Sequence, residues 1–320
     1  MSVAVGLFKK FLIHRYDDNG YIKYFCADDF EGLKKDDFSF MSGENLLKGN
    51  FYYYDGYRED ELIIFCHGIG GGHLSYMTEI ELLCKNGYKV LAYDNTGCFE
   101  SEGESILCIT QALADLDNAI KTMKNDGIYK QFNHVYVIGH SWGGYAAGNI
   151  ANFHDDIEKA VVISSFPSVS ILLDELSEGA FAFLKKPFIS KIADFEKEHH
   201  PEFFASSSVD AIKKGKTKYL VAHSKDDNVL PFKFGLQYVR ENCKNEDVKY
   251  LVLEDRKHNP NYTTDAVTYL NEVMGKFNAA VRFGKYKTFE AKKAYFEKAD
   301  FIRMTRQDEE FWVQVLEFLK

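Results

Sequence analysis

The feature that most constrains this chain is a series of short apolar runs, each separated from the next by a stretch with helical spacing. Leu62-Ile63-Ile64-Phe65-Cys66, Lys89-Val90-Leu91-Ala92-Tyr93, Val135-Tyr136-Val137-Ile138, Ala160 to Ile163, Tyr219 to Ala222 and Tyr250-Leu251-Val252-Leu253 show none of the alternation of a half-exposed strand. Both faces of each must therefore be covered. Between them, Leu74 to Lys85, then Ile109, Leu113, Leu116, Ile120 and Met123, then Ala146, Ala147, Ile150 and Ala151 recur at helical spacing. Buried strands alternating with helices build βαβ units, so the fold class is α/β, with a mostly parallel sheet and helices on both faces. Ahead of this region, Phe38 to Met41 and Leu46 to Tyr54 flank a Ser-Gly-Glu-Asn turn and read as a hairpin.

Chain length fits one α/β domain over residues 1–320 with insertions. Residues 166–216 are too long for an ordinary connection and hold amphipathic stretches of their own (Ile171, Leu172, Leu176; Phe181, Leu184; Ile189, Ile192, Phe195). They predict a helical cap over the carboxyl edge of the sheet. With 39 basic and 48 acidic side chains the net charge is −9, which repels phosphate backbones and argues against nucleic acid as a partner. The cysteines at 26, 66, 84, 98, 108 and 243 show no CxxC spacing and no clustering with histidine, so neither a metal site nor a redox motif is expected. Reduced thiols, an N-terminal stretch unlike a signal peptide, and the lack of a window near ~18 apolar residues predict a cytoplasmic protein without a membrane span. The adjacent pair His199-His200 lacks a third ligand at metal spacing and reads as solvated, and Phe51 to Tyr54 reads as strand packing.

The chemistry centres on Gly139-His140-Ser141-Trp142-Gly143-Gly144, a G-x-S-x-G between a buried strand and a helix. Small residues two before and two after the serine relieve the clash of strand against helix at a strained turn, and the hydroxyl lies near the positive end of the helix. A nucleophilic serine needs a base and a group to orient it. In the order serine, acid, histidine, the candidates are Asp226 or Asp227 after the Tyr219 run and His258 after the Tyr250 run. The glycine-rich turn His67-Gly68-Ile69-Gly70-Gly71-Gly72 would supply backbone N–H groups for an oxyanion, each worth roughly 3 kcal/mol in other enzymes. The donors are then Ile69 and Trp142. A dinucleotide loop starting at Gly68-x-Gly70 fails at His73, where the third glycine would stand.

From Leu62 to His258 the chain resembles serine hydrolases of the α/β-hydrolase fold, among bacterial esterases, lipase-like enzymes and serine aminopeptidase-like proteins. The resemblance implies Ser141 as nucleophile, His258 as base, and Ile69 and Trp142 as oxyanion donors. An HGxxDxxVP-like loop, His223-Ser-Lys-Asp-Asp-Asn-Val229-Leu-Pro231, sets the acid at Asp227, with Asp226 less favoured. Some relatives carry the acid one strand earlier, where Asp174 is the first candidate. Asp94 to Gly103 is similar to the DxxGxGxSxG turn of such enzymes but has Phe99 where glycine is usual. After a helix at Tyr262 to Met274, residues 275–305 read as a late insertion before a final helix at Glu309 to Leu319. The implied activity is hydrolysis of a small-molecule acyl substrate, a carboxylic ester first, without cofactor or metal. Thioesterase, aminopeptidase and acyltransferase chemistry use the same residues, and a non-catalytic binding protein on this fold is the reading from another class.

Overall fold

The computed structural model describes residues 3–177, 182–244 and 247–320. Eight strands, β1 (Lys34–Ser42), β2 (Asn45–Tyr53), β3 (Glu61–Cys66), β4 (Lys89–Tyr93), β5 (His134–His140), β6 (Lys159–Ile163), β7 (Lys218–Ser224) and β8 (Val248–Leu253), form one sheet in the order β1-β2-β4-β3-β5-β6-β7-β8. β1 and β2 are the expected hairpin, and β2 joins β4 antiparallel. All other pairs are parallel.

Thirteen helices are described: α1 (Val3–Phe11), α2 (Met77–Lys85), α3 (Gln111–Asn125), α4 (Trp142–Asn149), α5 (Val169–Ser177), α6 (Ala182–His199), α7 (Pro201–Phe204), α8 (Ser208–Lys214), α9 (Leu236–Asn242), α10 (Thr264–Arg282), α11 (Phe289–Phe296), α12 (Phe301–Met304) and α13 (Glu309–Leu319). None of the described helices is long and apolar enough to cross a membrane.

The uninterrupted apolar runs have the predicted cause. Leu62 and Ile64 of β3 face a core shared with α3 and α4, while Ile63 and Phe65 face one shared with α2 and α13. Successive side chains of a strand point to opposite faces, so a strand covered on both sides has no position for a polar residue.

Sheet order reverses at β3, whose neighbours are β4 on one side and β5 on the other. Such a reversal opens a crevice at the carboxyl ends of the strands. The turn after β3 and the serine after β5 meet there because Cys66 pairs with Gly139.

Residues 166–216 contain α5 to α8. Ile171, Leu172 and Leu176 lie on α5, and Ile189, Ile192 and Phe195 on α6. Phe181 and the Leu184 side chain lie outside the described residues. Glu196 on α6 is fully buried and accepts from the N–H groups of Ile109 (2.8 Å) and Thr110 (3.1 Å) and from the Thr110 hydroxyl (3.2 Å). A carboxylate held at the N-terminal end of α3 is favoured by the helix dipole.

Near the C-terminus, α10 runs past Gly275 to Arg282 before α11 and α12 fold back against it. No heavy atom would lie within 4 Å of a Cβ at Gly275, so nothing in its surroundings requires a glycine or interrupts the helix there.

Two outcomes follow. Gly275→Ala should raise the melting temperature, because alanine is favoured over glycine in a helix interior by about 1 kcal/mol. Burial pushes the Glu196 carboxyl up to about 7 against the pull of its backbone donors. A folded-state value above the unfolded one gives a contribution to stability that is full below the unfolded value and lost as pH rises through 7. Thermal melts at about pH 5 and about pH 8 should therefore differ more for the wild type than for Glu196→Gln, and equal differences would contradict this.

Candidate active site

Ser141 sits between β5 and α4 with φ 56 and ψ −116, a conformation costly for a non-glycine residue. Its surroundings leave no alternative path. A Cβ on Gly139 would stand 2.1 Å from the Gly143 carbonyl oxygen, and one on Gly143 would stand 2.0 Å from that of Cys66. The glycines two before and two after the serine are thus demanded by contact with backbone.

The Ser141 Oγ lies 2.9 Å from His258 Nε2, and His258 Nδ1 lies 2.8 Å from Asp227 Oδ2. Asp227 Oδ2 also accepts from His223 Nε2 (3.0 Å), and its Oδ1 from the N–H groups of Val229 (2.8 Å) and Leu230 (3.0 Å). Burial opposes charge on this carboxylate, but bonds from His223 and His258, the His258 charge and the backbone outweigh it and hold Asp227 well below the usual range. Asp226 turns elsewhere: Ser224, the N–H groups of Arg256 and Lys257, and the Lys257 ammonium surround it. Burial opposes its charge too, and these donors lower it to about 2. Asp174 is an exposed side chain on α5. The structure therefore brings Ser141, His258 and Asp227 together and leaves Asp226 and Asp174 out of the chain of bonds.

The glycine-rich turn after β3 is braced by a residue the motif reading left without a role. His67 is buried and donates from Nδ1 to the Gly68 carbonyl (2.7 Å), while its Nε2 accepts the Asn95 N–H (2.9 Å). Burial lowers its pKa, and the neutral ring suits this pairing. In a trans peptide the N–H points away from the C=O, so fixing the Gly68 oxygen turns the Ile69 N–H to the opposite side. Neither the Ile69 N–H nor the Trp142 N–H has a hydrogen-bond partner among the described residues. A Cβ on Gly68 would come within 3.3 Å of the Ser141 Cβ, which puts the turn directly beside the serine. The Trp142 indole donates to the Ile109 carbonyl (2.6 Å), on the residue whose N–H Glu196 holds.

Phe99, the departure from the DxxGxGxSxG pattern, has φ 40. That is the region where glycine is at ease, which explains the usual residue. Here the strained backbone is held from outside, because Arg15 donates to the carbonyls of Phe99 (2.6 Å), Ser101 (2.8 Å) and Gly103 (2.8 Å). His199 bonds to the Phe195 carbonyl and His200 to Gln111, so both histidines have protein partners.

Residues 58–193 match a family described as serine aminopeptidase, S33. The fold and this match agree with each other. The chain has the α/β-hydrolase fold. The chain is 24% identical over 136 residues to a proline iminopeptidase of Clostridium botulinum, a match that spans 42% of this chain and 45% of the relative. Among solved structures it is similar to an esterase of Pyrococcus furiosus (TM-score 0.58, 19% identity, 84% of this chain and 95% of that one). It is also similar to an acylaminoacyl peptidase of Pyrococcus horikoshii (TM-score 0.53, 18% identity, 72% and 39%). The family match includes Ile69, Ser141 and Trp142 but ends before Asp227 and His258. The candidate acid and base therefore stand on geometry alone.

Replacing each aspartate tests the assignment of the acid. Asp227→Asn should slow fluorophosphonate labelling of Ser141 by up to about 10⁴-fold, since an amide no longer holds the imidazole in its reactive tautomer. Asp226→Asn should stay within a few-fold of wild type, and comparable losses would reverse the assignment.

Proposed function

We propose that this chain is a serine hydrolase that cleaves a carboxylic ester through an acyl-enzyme on Ser141. The observation that carries the reading is the continuous run of bonds from Ser141 Oγ through His258 to Asp227, at 2.9 and 2.8 Å. His258 Nε2 takes the hydroxyl proton as Oγ attacks the carbonyl carbon, and Asp227 stabilises the imidazolium that forms. The carbonyl oxygen becomes an oxyanion facing the Ile69 and Trp142 N–H groups. Collapse expels the alcohol, which takes the proton from His258. Water, activated by the same ring, then releases the acid and restores the serine.

The α5 to α8 segment acts as a cap whose apolar side chains contribute to the acyl pocket. Leu172, Ile189 and Phe204 pack into the same cluster as Ile69, Trp142 and Leu230. The unpaired thiols, among them the buried Cys66 and Cys98, fit a reducing cytoplasm.

An aminopeptidase is the second reading, favoured by the family match. A substrate with a free N-terminus calls for a carboxylate facing its ammonium. Glu196, the buried carboxylate of the 166–216 segment among the described residues, is taken up by Ile109 and Thr110. This supports an uncharged acyl group over an aminoacyl one.

A screen of p-nitrophenyl esters of varied acyl length, acyl thioesters and aminoacyl amides tests the substrate class, with turnover of esters expected. Ser141→Ala and His258→Ala should each abolish that turnover with little change in melting temperature. A wild-type protein that resists fluorophosphonate while a control serine hydrolase reacts would return the chain to the class of non-catalytic binding proteins.

A further inference from the structure

His140 and Tyr76 lie outside the serine, histidine and acid set, yet they tie its parts together. His140 is buried, and its ring centroid lies 4.8 Å from that of His258. The atom facing His140 Nε2 is the backbone carbonyl oxygen of His258, at 2.8 Å. A carbonyl can only accept, so Nε2 carries the proton. Nδ1 then accepts from the Tyr76 hydroxyl at 2.8 Å, and the oxygen of that hydroxyl accepts the Gly68 N–H at 3.0 Å. One chain of hydrogen bonds runs from the oxyanion turn after β3, through the residue before α2, to the end of β5 and on to the loop after β8.

The far end of this chain is where an anchor is needed. His258 lies in neither a strand nor a helix, and its neighbours Asp255 and Lys257 adopt φ values of 57 and 47. A left-handed backbone is strained for a residue with a side chain, so the loop is held in place by bonds from outside it. We propose that Tyr76 and His140 are a positioning pair that fixes the backbone of His258 and thereby the reach of its imidazole to Ser141. The inference rests on the hydrolytic reading above.

The pair works while His140 is neutral. A proton on Nδ1 would remove the acceptor that Tyr76 uses and would set a second cation beside the imidazolium formed on His258. Burial, reinforced by the nearby His258, lowers His140 to about 3, and Asp227 and His223 are the other titratable groups that act on it. The pair therefore keeps its bonding pattern at any pH well above about 3.

The test compares kcat, KM, the pH profile of kcat and the melting temperature for wild type, Tyr76→Phe, His140→Leu and His140→Gln on a short-chain p-nitrophenyl ester. His140→Leu should lower kcat by about tenfold to a hundredfold with KM within about twofold, the pattern of a misplaced catalytic group. Glutamine can offer its amide N–H to the His258 carbonyl, so His140→Gln should recover most of that loss. Tyr76→Phe, which leaves His140 in place, should fall between wild type and His140→Leu, and it decides alone if the leucine variant does not fold. Retention of kcat within about twofold in Tyr76→Phe or His140→Leu, or equal losses for leucine and glutamine, would overturn the positioning role. Failure of the wild type to react with any ester or with fluorophosphonate would instead overturn the hydrolytic reading itself, so the two failures are told apart.

Discussion

Helix α4 enters the sheet so closely that backbone touches backbone. Gly143 leaves no space for a Cβ beside the Cys66 carbonyl, and Gly139 leaves none beside Gly143. Close approach of this kind fixes three things at once. It forces Ser141 into its positive φ, it leaves the Trp142 N–H at a helix start without an acceptor, and it brings the end of β5 against the turn that follows β3. Hydroxyl, unpaired N–H and glycine-rich turn are therefore consequences of one packing constraint. Interior packing does not stretch to fit, so the arrangement is set by the fold before any substrate arrives.

Desolvation decides which groups around the serine carry charge. His67 and His140 are buried and shifted toward the neutral form, which lets each ring donate from one nitrogen and accept at the other. Two buried carboxylates show how fine the balance is. Asp115 accepts from the hydroxyls of Ser42 and Thr96, the Thr96 N–H and the Gln111 amide, yet burial raises its pKa. Asp227 also has four donors but its pKa is lowered, because its donors include the His258 ring, whose positive charge adds to the hydrogen bonds. The number of bonds is equal, so the deeper burial of Asp115 and the charge available on the His258 donor make the difference.

Much of this was legible in the residues. Apolar runs without alternation can only be strands covered on both faces, and G-x-S-x-G at a strand end names its own serine. Positions just past buried strands were enough to pick out His258 and two neighbouring aspartates, of which Asp227 is the one bonded to it. Four contributors stayed hidden: His67, Tyr76, His140 and His223. A histidine gives no periodic signal, and in a list of residues a buried neutral ring looks the same as a solvated one. The trace that was available is that His67, His140 and His223 each lie at or just after the end of an apolar run, where a polar side chain has to find partners inside the protein. Helix α1 was hidden for another reason. Lys9 and Lys10 interrupt its apolar pattern, and its buried face, Ala4 and Val5, is short. At Gly275 the composition suggested a boundary, but packing leaves the glycine unopposed and the helix continues.

The Arg15 clamp bears on the order in which the chain folds. Its guanidinium gathers the carbonyls of Phe99, Ser101 and Gly103, all more than eighty positions away in sequence. Contacts of such separation form late, because the loop between them must close before they return any free energy. As the chain leaves the ribosome, residue 15 emerges long before its acceptors and waits while β1 to β4 are made. The Asp94 to Gly103 turn, with its left-handed Phe99, can then settle only when the two distant segments meet. Arg15 is thus among the last residues of this region to find its native partners.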